Sequence, residues 1–333
     1  VFDQDAREAL LAFGVPPVVQ EFIELVDEAG GATLGKYTAI VNRQHEGAIR
    51  GTIVFNGAGQ TGRFSSTAVQ WQNLRRDGLD NVEEEIQYLK DGFELPNVTD
   101  TLARMVRAVV THPEGLSWCD WSSIEGRVAP WLANSPAGEA KLQLYRDGVD
   151  PYVVNAAGLY HIDMDDVTKD QRQRGKVMEL ALGFLGGAGA LQSMGRGYGL
   201  ILGDDEAERL RDVWRGLNPW AMAFGKELER AAMSAVLHPG GWFEAGRVAY
   251  GCNGDWLWCR LPSSRLIAYY QPKLEGKMTP WGDEVTTITA SAGGRVKTKV
   301  GTWRRLALWP GMLLENITQA TAADLLRESL LAC

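Results

Sequence analysis

Apolar residues recur every three to four positions over residues 5–14, 18–31 and 36–44, so the chain opens with three helices, the second stopped by Gly30 and Gly31. A strand is expected over residues 49–55. The glycine-rich NGAGQTGR turn leads from it into a polar stretch, SSTAVQWQNLRR, whose alternation is too weak to assign. Helices follow around NVEEEIQYLKDG and TDTLARMVRAVV. The short apolar segment LSWCDWSS meets SIEGRVAPWLA, which predicts a strand running into a helix with Asp120 at the strand's carboxyl end. Residues 136–237 are almost continuously helical. From residue 239 the pattern turns to short strands (WLWCRLP, RLIAYYQP, VTTITASA, VKTKVG) before a closing helix. No internal repeat or linker tract interrupts this order. Helices, β, a helical block and β again describe one α+β domain with a helical subdomain inserted between its strands.

Composition sharpens this. Apolar residues are 45% and charged residues 23% of 333, which suits a globular protein with a sizeable core and excludes disorder and a small disulfide-stapled fold. The net charge of -8, from 34 basic and 42 acidic residues, means that any nucleic-acid partner must be met by a local basic groove. Cys119, Cys252, Cys259 and Cys333 contain no CxxC pair and read as reduced thiols of a cytoplasmic protein. No apolar run reaches the ~18 residues of a membrane helix. The amino end lacks the basic start and apolar core of a signal peptide, and DLLRESLLAC stops in mid-helix, so a fragment at both ends is expected.

Three segments carry candidate chemistry. Gly57 and Gly62 have P-loop spacing, but Arg63 and Phe64 stand where a P-loop needs Lys and Ser or Thr, so the turn serves to present Arg63. A helix opens at Thr168, where Thr168 and Gln171 fit a capping box. Along it Arg172, Lys176, Leu180 and Phe184 recur every four residues, offering one face to a polyanion and then to a flat ring; a solvated basic edge beside a core stripe has the same pattern. Asp120, with Glu125 five residues on, is placed to reach a metal-bound phosphate or to cap a helix. Two decoys drop out. Gly203-Asp204-Asp205 starts a helix, with one of the aspartates as N-cap, and the four histidines and four cysteines lack zinc-ligand spacing.

Taken in order, TGRFSSTAVQWQNLRR, CDWSSIEGRVAPWLA, RQRGKVMELALGF and ENITQATAADLL resemble the motifs of family A DNA polymerases, phage members most closely; KYTAI, LPSSRLIAYYQP and LGGAGAL extend the resemblance over residues 35–333. It implies a right-hand architecture: a thumb remnant over 1–48, palm over 49–134 and 240–333, and fingers over 135–239. It implies that Asp120 and the Trp121 carbonyl bind catalytic magnesium, and that Glu125 blocks a ribose 2′-hydroxyl. Arg172 and Lys176 would hold the triphosphate, with Lys176 a catalytic residue, while Leu180 and Phe184 lie by the nascent pair. Arg63, Gln72, Asn73 and Gln319 would contact primer-template DNA. Arg75, Arg76 and Arg174 are further candidates for a basic groove.

The implied function is template-directed DNA synthesis from deoxynucleoside triphosphates in phage replication, in a bacterial cytoplasm. Departures qualify it. Phe184 and Leu180 stand where many relatives have Tyr and Phe, and Tyr152 where bacterial repair members have His. No His-Asp-Glu third motif occurs, so the implied two-ion site has half its carboxylates and several orders of magnitude in rate are expected to be lost. The alternatives are a non-catalytic DNA-binding remnant, or one half of a split polymerase whose missing hairpin comes from a second polypeptide. A single-subunit RNA polymerase is disfavoured by Glu125 and TGRFSS.

Overall fold

A computed structural model describes residues 7, 10–11, 14–29, 34–75, 77–93, 97–278, 282, 284–291 and 305–332. Most of the expected helix over 5–14, the expected strand VKTKVG, Arg76 and Cys333 lie outside the described residues. The chain divides into two compact units, one of residues 1–57 and 64–120 and the other of 58–63 and 121–333.

The first unit holds helices α1 (Pro17–Ala29), α2 (Leu34–Arg43), α3 (Val82–Lys90) and α4 (Val98–Met105), and strands β1 (Gln44–His45), β2 (Ala48–Ile49), β3 (Ile53–Val54) and β4 (Ser65–Ser66). The strand expected over 49–55 is instead split between two hairpins. Glu46 and Gly47 both have positive φ and turn β1 back onto β2, and Gly51 (φ 68°) breaks the run before β3 pairs with β4. The strand expected at LSWCDWSS does not form. No described strand pairs with it, and a lone strand leaves its ladder groups unpaired; Trp118 is 90% exposed. The unit's buried residues are few, among them Val69, Leu74, Met105 and Val106, and it relies on polar ties such as Tyr37 Oη donating to the Leu102 carbonyl at 2.7 Å.

The second unit is α+β, as the pattern predicts. Its helices are α5 (Ile124–Ala133), α6 (Pro136–Arg146), α7 (Pro151–Tyr160), α8 (Lys169–Leu182), α9 (Ala188–Gly197), α10 (Asp204–Leu217), α11 (Pro219–Leu237) and α12 (Pro310–Ala332). Local chemistry fixes several starts. Ser135 and Asp150 cap α6 and α7 with Pro at the first helical position. The capping box at Thr168 forms in both directions. At α10 the N-cap is Gly203, not an aspartate; Asp204, Asp205 and Glu206 occupy the first turn, where they complement the helix dipole.

Strands β5 (Trp242–Ala245), β6 (Val248–Cys252), β7 (Trp256–Arg260), β8 (Leu266–Met278), β9 (Glu284–Ser291) and β10 (Arg305–Ala307) form one antiparallel meander in the order 10-9-8-7-6-5. β5, β6 and β10 escaped the sequence reading. Phe243, Tyr250, Cys259 and Ile267 are cross-strand neighbours. α11 covers this sheet, and a continuous apolar core runs from β5–β9 through α11 and α12 to Val177, Met178 and Leu182 of α8. Cys252 and Cys259 are buried free thiols, and Cys119 is an exposed one. No helix among the described residues is long and apolar enough to cross a membrane.

Helices α7 and α8 are in close backbone contact at Gly175. A Cβ there would stand 2.0 Å from the Tyr152 carbonyl oxygen and 3.1 Å from the Ala156 nitrogen, both backbone atoms that cannot rotate away. Gly175→Ala is therefore expected to separate the pair at a cost of roughly 1–3 kcal/mol or more, the usual range for overpacking. Gly189→Ala, with open space around the new methyl, should be neutral or stabilising by up to ~1 kcal/mol. Thermal melts of the two variants check this; equal melting temperatures would show that the α7–α8 contact relaxes freely.

Candidate nucleotide-binding site

The residues singled out in TGRFSS, WSSIEG and QATAADLL come together at one place in the second unit. The NGAGQTGR turn closes on itself, with the Gly62 amide donating to the Ala58 carbonyl, and the Arg265 and Arg327 guanidiniums donate to the Thr61 and Gly62 carbonyls. Arg63, exposed at its end, is thereby held near Glu125 in the first turn of α5. Burial raises the Glu125 carboxyl above its ordinary value; the Arg63 charge pulls it down, Glu315 pushes it up and Gln319 pulls it down. The Gln319 amide also donates to Glu315 Oε1 at 3.2 Å. Arg63, Glu125, Glu315 and Gln319, from three separate parts of the sequence, form one polar cluster.

Beside it lies a cleft of about 280 Å³. Trp121, Glu125 and Gly126 line one part, Leu180 and Phe184 another, and Tyr145, Tyr152, Glu179, Trp214 and Trp220 also face it. Trp220 lies 5% exposed, with its indole Nε1 lacking a partner among the described residues. α8 ends at Leu182, so Phe184 stands beyond the helix, after the Gly183 cap, yet it still reaches the cleft beside Leu180. Lys176 and Arg172 lie about one and two turns further back along α8, or roughly 6 and 12 Å at 1.5 Å per residue. The helix thus carries two cations leading toward an apolar cleft.

Both cations have resident partners. Arg172 Nε donates to Asp150 Oδ2 at 2.7 Å, and its guanidinium lies 5.2 Å from the centre of the Tyr152 ring; Lys176 Nζ sits 4.8 Å from that of Tyr198. Asp150 also accepts from the Tyr152 amide, so one carboxylate caps α7 and fixes Arg172. Two further cations suggested for a basic groove are ion-paired here, Arg174 with Glu206 and Arg75 with Asp77 and Asp100.

The other singled-out residues belong to the first unit. Asp120 is exposed on irregular chain, with no strand end to present it. Gln72 and Asn73 sit on a single turn of tight helix, where Ser66 Oγ donates to Gln72 and Asn73 Nδ2 donates to Gln70 Oε1 at 3.3 Å. Among the described residues no three His, Cys, Asp or Glu side chains gather in a group that could hold a metal ion. The carboxylates present do not, by themselves, fit a two-ion magnesium site.

No protein-family model matches the chain. Over 98% of its length it is 32% identical to the DNA polymerase of Bacillus phage SP02. The chain is a relative of the phage DNA polymerases. It spans about half of that relative, 51% of its length. Its fold also matches the POL domain of Pol1 from M. smegmatis, a structure in complex with DNA primer-template and dNTP, with a TM-score of 0.56 at 16% identity over 97% of this chain and 44% of that one. The α+β fold of this polymerase relative is that of a polymerase domain.

Sequence reasoning missed Lys141, Tyr145, Asp150, Glu179 and Trp214 around the cleft. Glu179 carried a faint signal, standing three residues after Lys176 and so near the same helix face; Lys141 is the residue before Leu142 and four before Tyr145 on α6, which marks it as facing inward with them.

A raised carboxyl favours the protonated form in the folded state. Its stabilising contribution is full below the ordinary carboxylate value and is lost as pH rises through the raised value. Glu125→Gln, which mimics the protonated side chain, is expected to melt higher than the wild type at pH 7, by roughly 1–2 °C, and to lose that advantage near pH 4. Thermal melts at the two pH values check this; a pH-independent difference would remove burial as the cause.

Proposed function

We propose that the chain forms palm and fingers of a template-directed DNA polymerase that adds deoxynucleoside triphosphates to a primer 3′ end in phage replication, with a thumb remnant at residues 1–48. The observation that carries this reading is the cleft where Glu125, with Arg63 and Gln319 beside it, meets the Leu180–Phe184 end of α8 while Lys176 and Arg172 stand one and two turns away. Phosphoryl transfer depends on positioning and charge neutralisation more than on covalent help from the protein. Lys176 and Arg172 neutralise the triphosphate, Arg172 giving up part of its pairing with Asp150. Phe184 and Leu180 flank the base, and Glu125 lies under the sugar. Arg63, Gln319, Gln72 and Asn73 hold primer-template DNA. Asp120 and the Trp121 carbonyl are this chain's proposed magnesium ligands. Magnesium would supply Lewis acidity; because the described carboxylates do not complete its site, no step is routed through it.

Three indoles line the cleft (Trp121, Trp214 and Trp220), so fluorescence titration of the 333-residue chain with dNTP reads binding directly. Saturable quenching is expected, strengthened by primer-template DNA. Lys176→Ala should weaken it about 10- to 100-fold, the worth of one charged hydrogen bond at ~1.5–3 kcal/mol. Glu125→Ala should leave dNTP affinity near the wild type and bring ribonucleotides closer to it. Unchanged affinity in Lys176→Ala would remove the triphosphate assignment. DNA binding without any nucleotide binding would favour the non-catalytic remnant.

A further inference from the structure

Beneath the cleft, one carboxylate gathers donors from three helices. Glu179 of α8 accepts from Lys141 Nζ of α6 at 2.8 Å, from Asn155 Nδ2 of α7 at 2.8 Å and from Trp214 Nε1 of α10 at 2.9 Å. The Lys141 side chain is 5% exposed and that of Glu179 13%. A buried ion pair of this kind is a poor source of stability, since desolvation cancels most of the attraction and well-packed apolar residues often do as well. What it supplies is direction: three donors at fixed distances allow α8 little rotation or slide.

The same helix α6 reaches the other wall of the cleft. One turn after Lys141, Tyr145 lies against Gly126, where an added Cβ would stand 2.2 Å from the Tyr145 hydroxyl, and Arg127 of α5 stacks on the Tyr145 ring at 4.7 Å. Gly126 follows Glu125 directly. α6 therefore touches α5 beside the sugar-side carboxylate and grips α8 between Lys176 and Leu180. Neither Lys141 nor Tyr145 belongs to the set of residues assigned to nucleotide or DNA.

We propose that Lys141 and Glu179 are a positioning pair that sets the distance between the Glu125 wall and the Leu180–Phe184 wall, and so tunes nucleotide affinity and the preference for deoxyribose over ribose. This rests on the nucleotide-binding reading above and adds the device that keeps its two walls in register. Lys141 acts through Glu179, and Glu179 through the placement of α8. A displacement of about 1 Å in such a site can cost on the order of 10²-fold in rate, so loosening the bridge has a readable effect without any contact to the nucleotide being removed.

The test is the fluorescence titration with dATP and ATP, made well below each variant's melting transition. Lys141→Met is expected to weaken dATP binding roughly tenfold and to lower the dATP-to-ATP preference several-fold. Glu179→Ala should do the same, and so should Glu179→Gln, whose single amide oxygen can keep the two donors that share Oε2 while its NH2 group then faces Lys141 Nζ and leaves that ammonium without a countercharge. If Lys141→Met leaves a bare carboxylate that prevents folding, Lys141→Met with Glu179→Gln leaves no unpaired buried charge and should show the same loss of sugar preference. Wild-type affinity and sugar preference in folded Lys141→Met, or in folded double variant, would overturn the proposal and leave the pair a packing feature. Failure of the wild type to bind dATP would overturn the nucleotide-binding reading itself, and this inference with it.

Discussion

The Glu179 carboxylate is the point on which the arrangement around α8 turns. Its three donors come from α6, α7 and α10, and each is buried enough that losing the carboxylate would strand a polar group. Around this polar knot the packing is tight and backbone-limited. Gly175, one turn earlier on α8, lets the Tyr152 carbonyl approach to a distance no side chain would allow, and Asn155 ties the Gly175 carbonyl to α7 at 3.2 Å. Given those two constraints, the face bearing Arg172, Lys176 and Leu180 has one orientation.

Electrostatics around the cleft follow from an acidic composition. With 42 acidic residues against 34 basic ones, several arginines of the helical block are ion-paired, among them Arg172 with Asp150 and Arg174 with Glu206. Lys176 is held against a ring and not a carboxylate, which leaves its charge available to an incoming anion at lower cost than breaking an ion pair. Arg63 is an exposed cation whose field reaches Glu125.

The polar residues of the cleft differ in how they are held. Asp150 and Thr168 act through helix caps that sequence motifs specify, so their geometry is local and cheap. Glu125, Gln319 and Arg63 meet only because α5, α12 and the NGAGQTGR turn converge. The raised carboxyl of Glu125 is the signature of that convergence, since burial by remote segments produces it.

Sequence by itself determined the elements with local causes. Caps and 3.6-residue periodicity specify α5, α7, α8, α10 and α11 to within a residue or two, and the ordered motifs point to a polymerase. The Arg172–Lys176–Leu180 face was legible because helix geometry alone sets it. Only the tertiary structure decided what depends on partners. LSWCDWSS stays irregular because no neighbour completes a ladder, and residues 49–55 split because positive-φ residues turn the chain there. β5 and β6 became strands through pairing that their short, mixed runs do not announce. The resident partners of Arg172 and Arg174, and the Lys141–Glu179 pair, join residues some 20 to 40 positions apart; no local pattern encodes such a contact, because its energy exists only once the helices have packed.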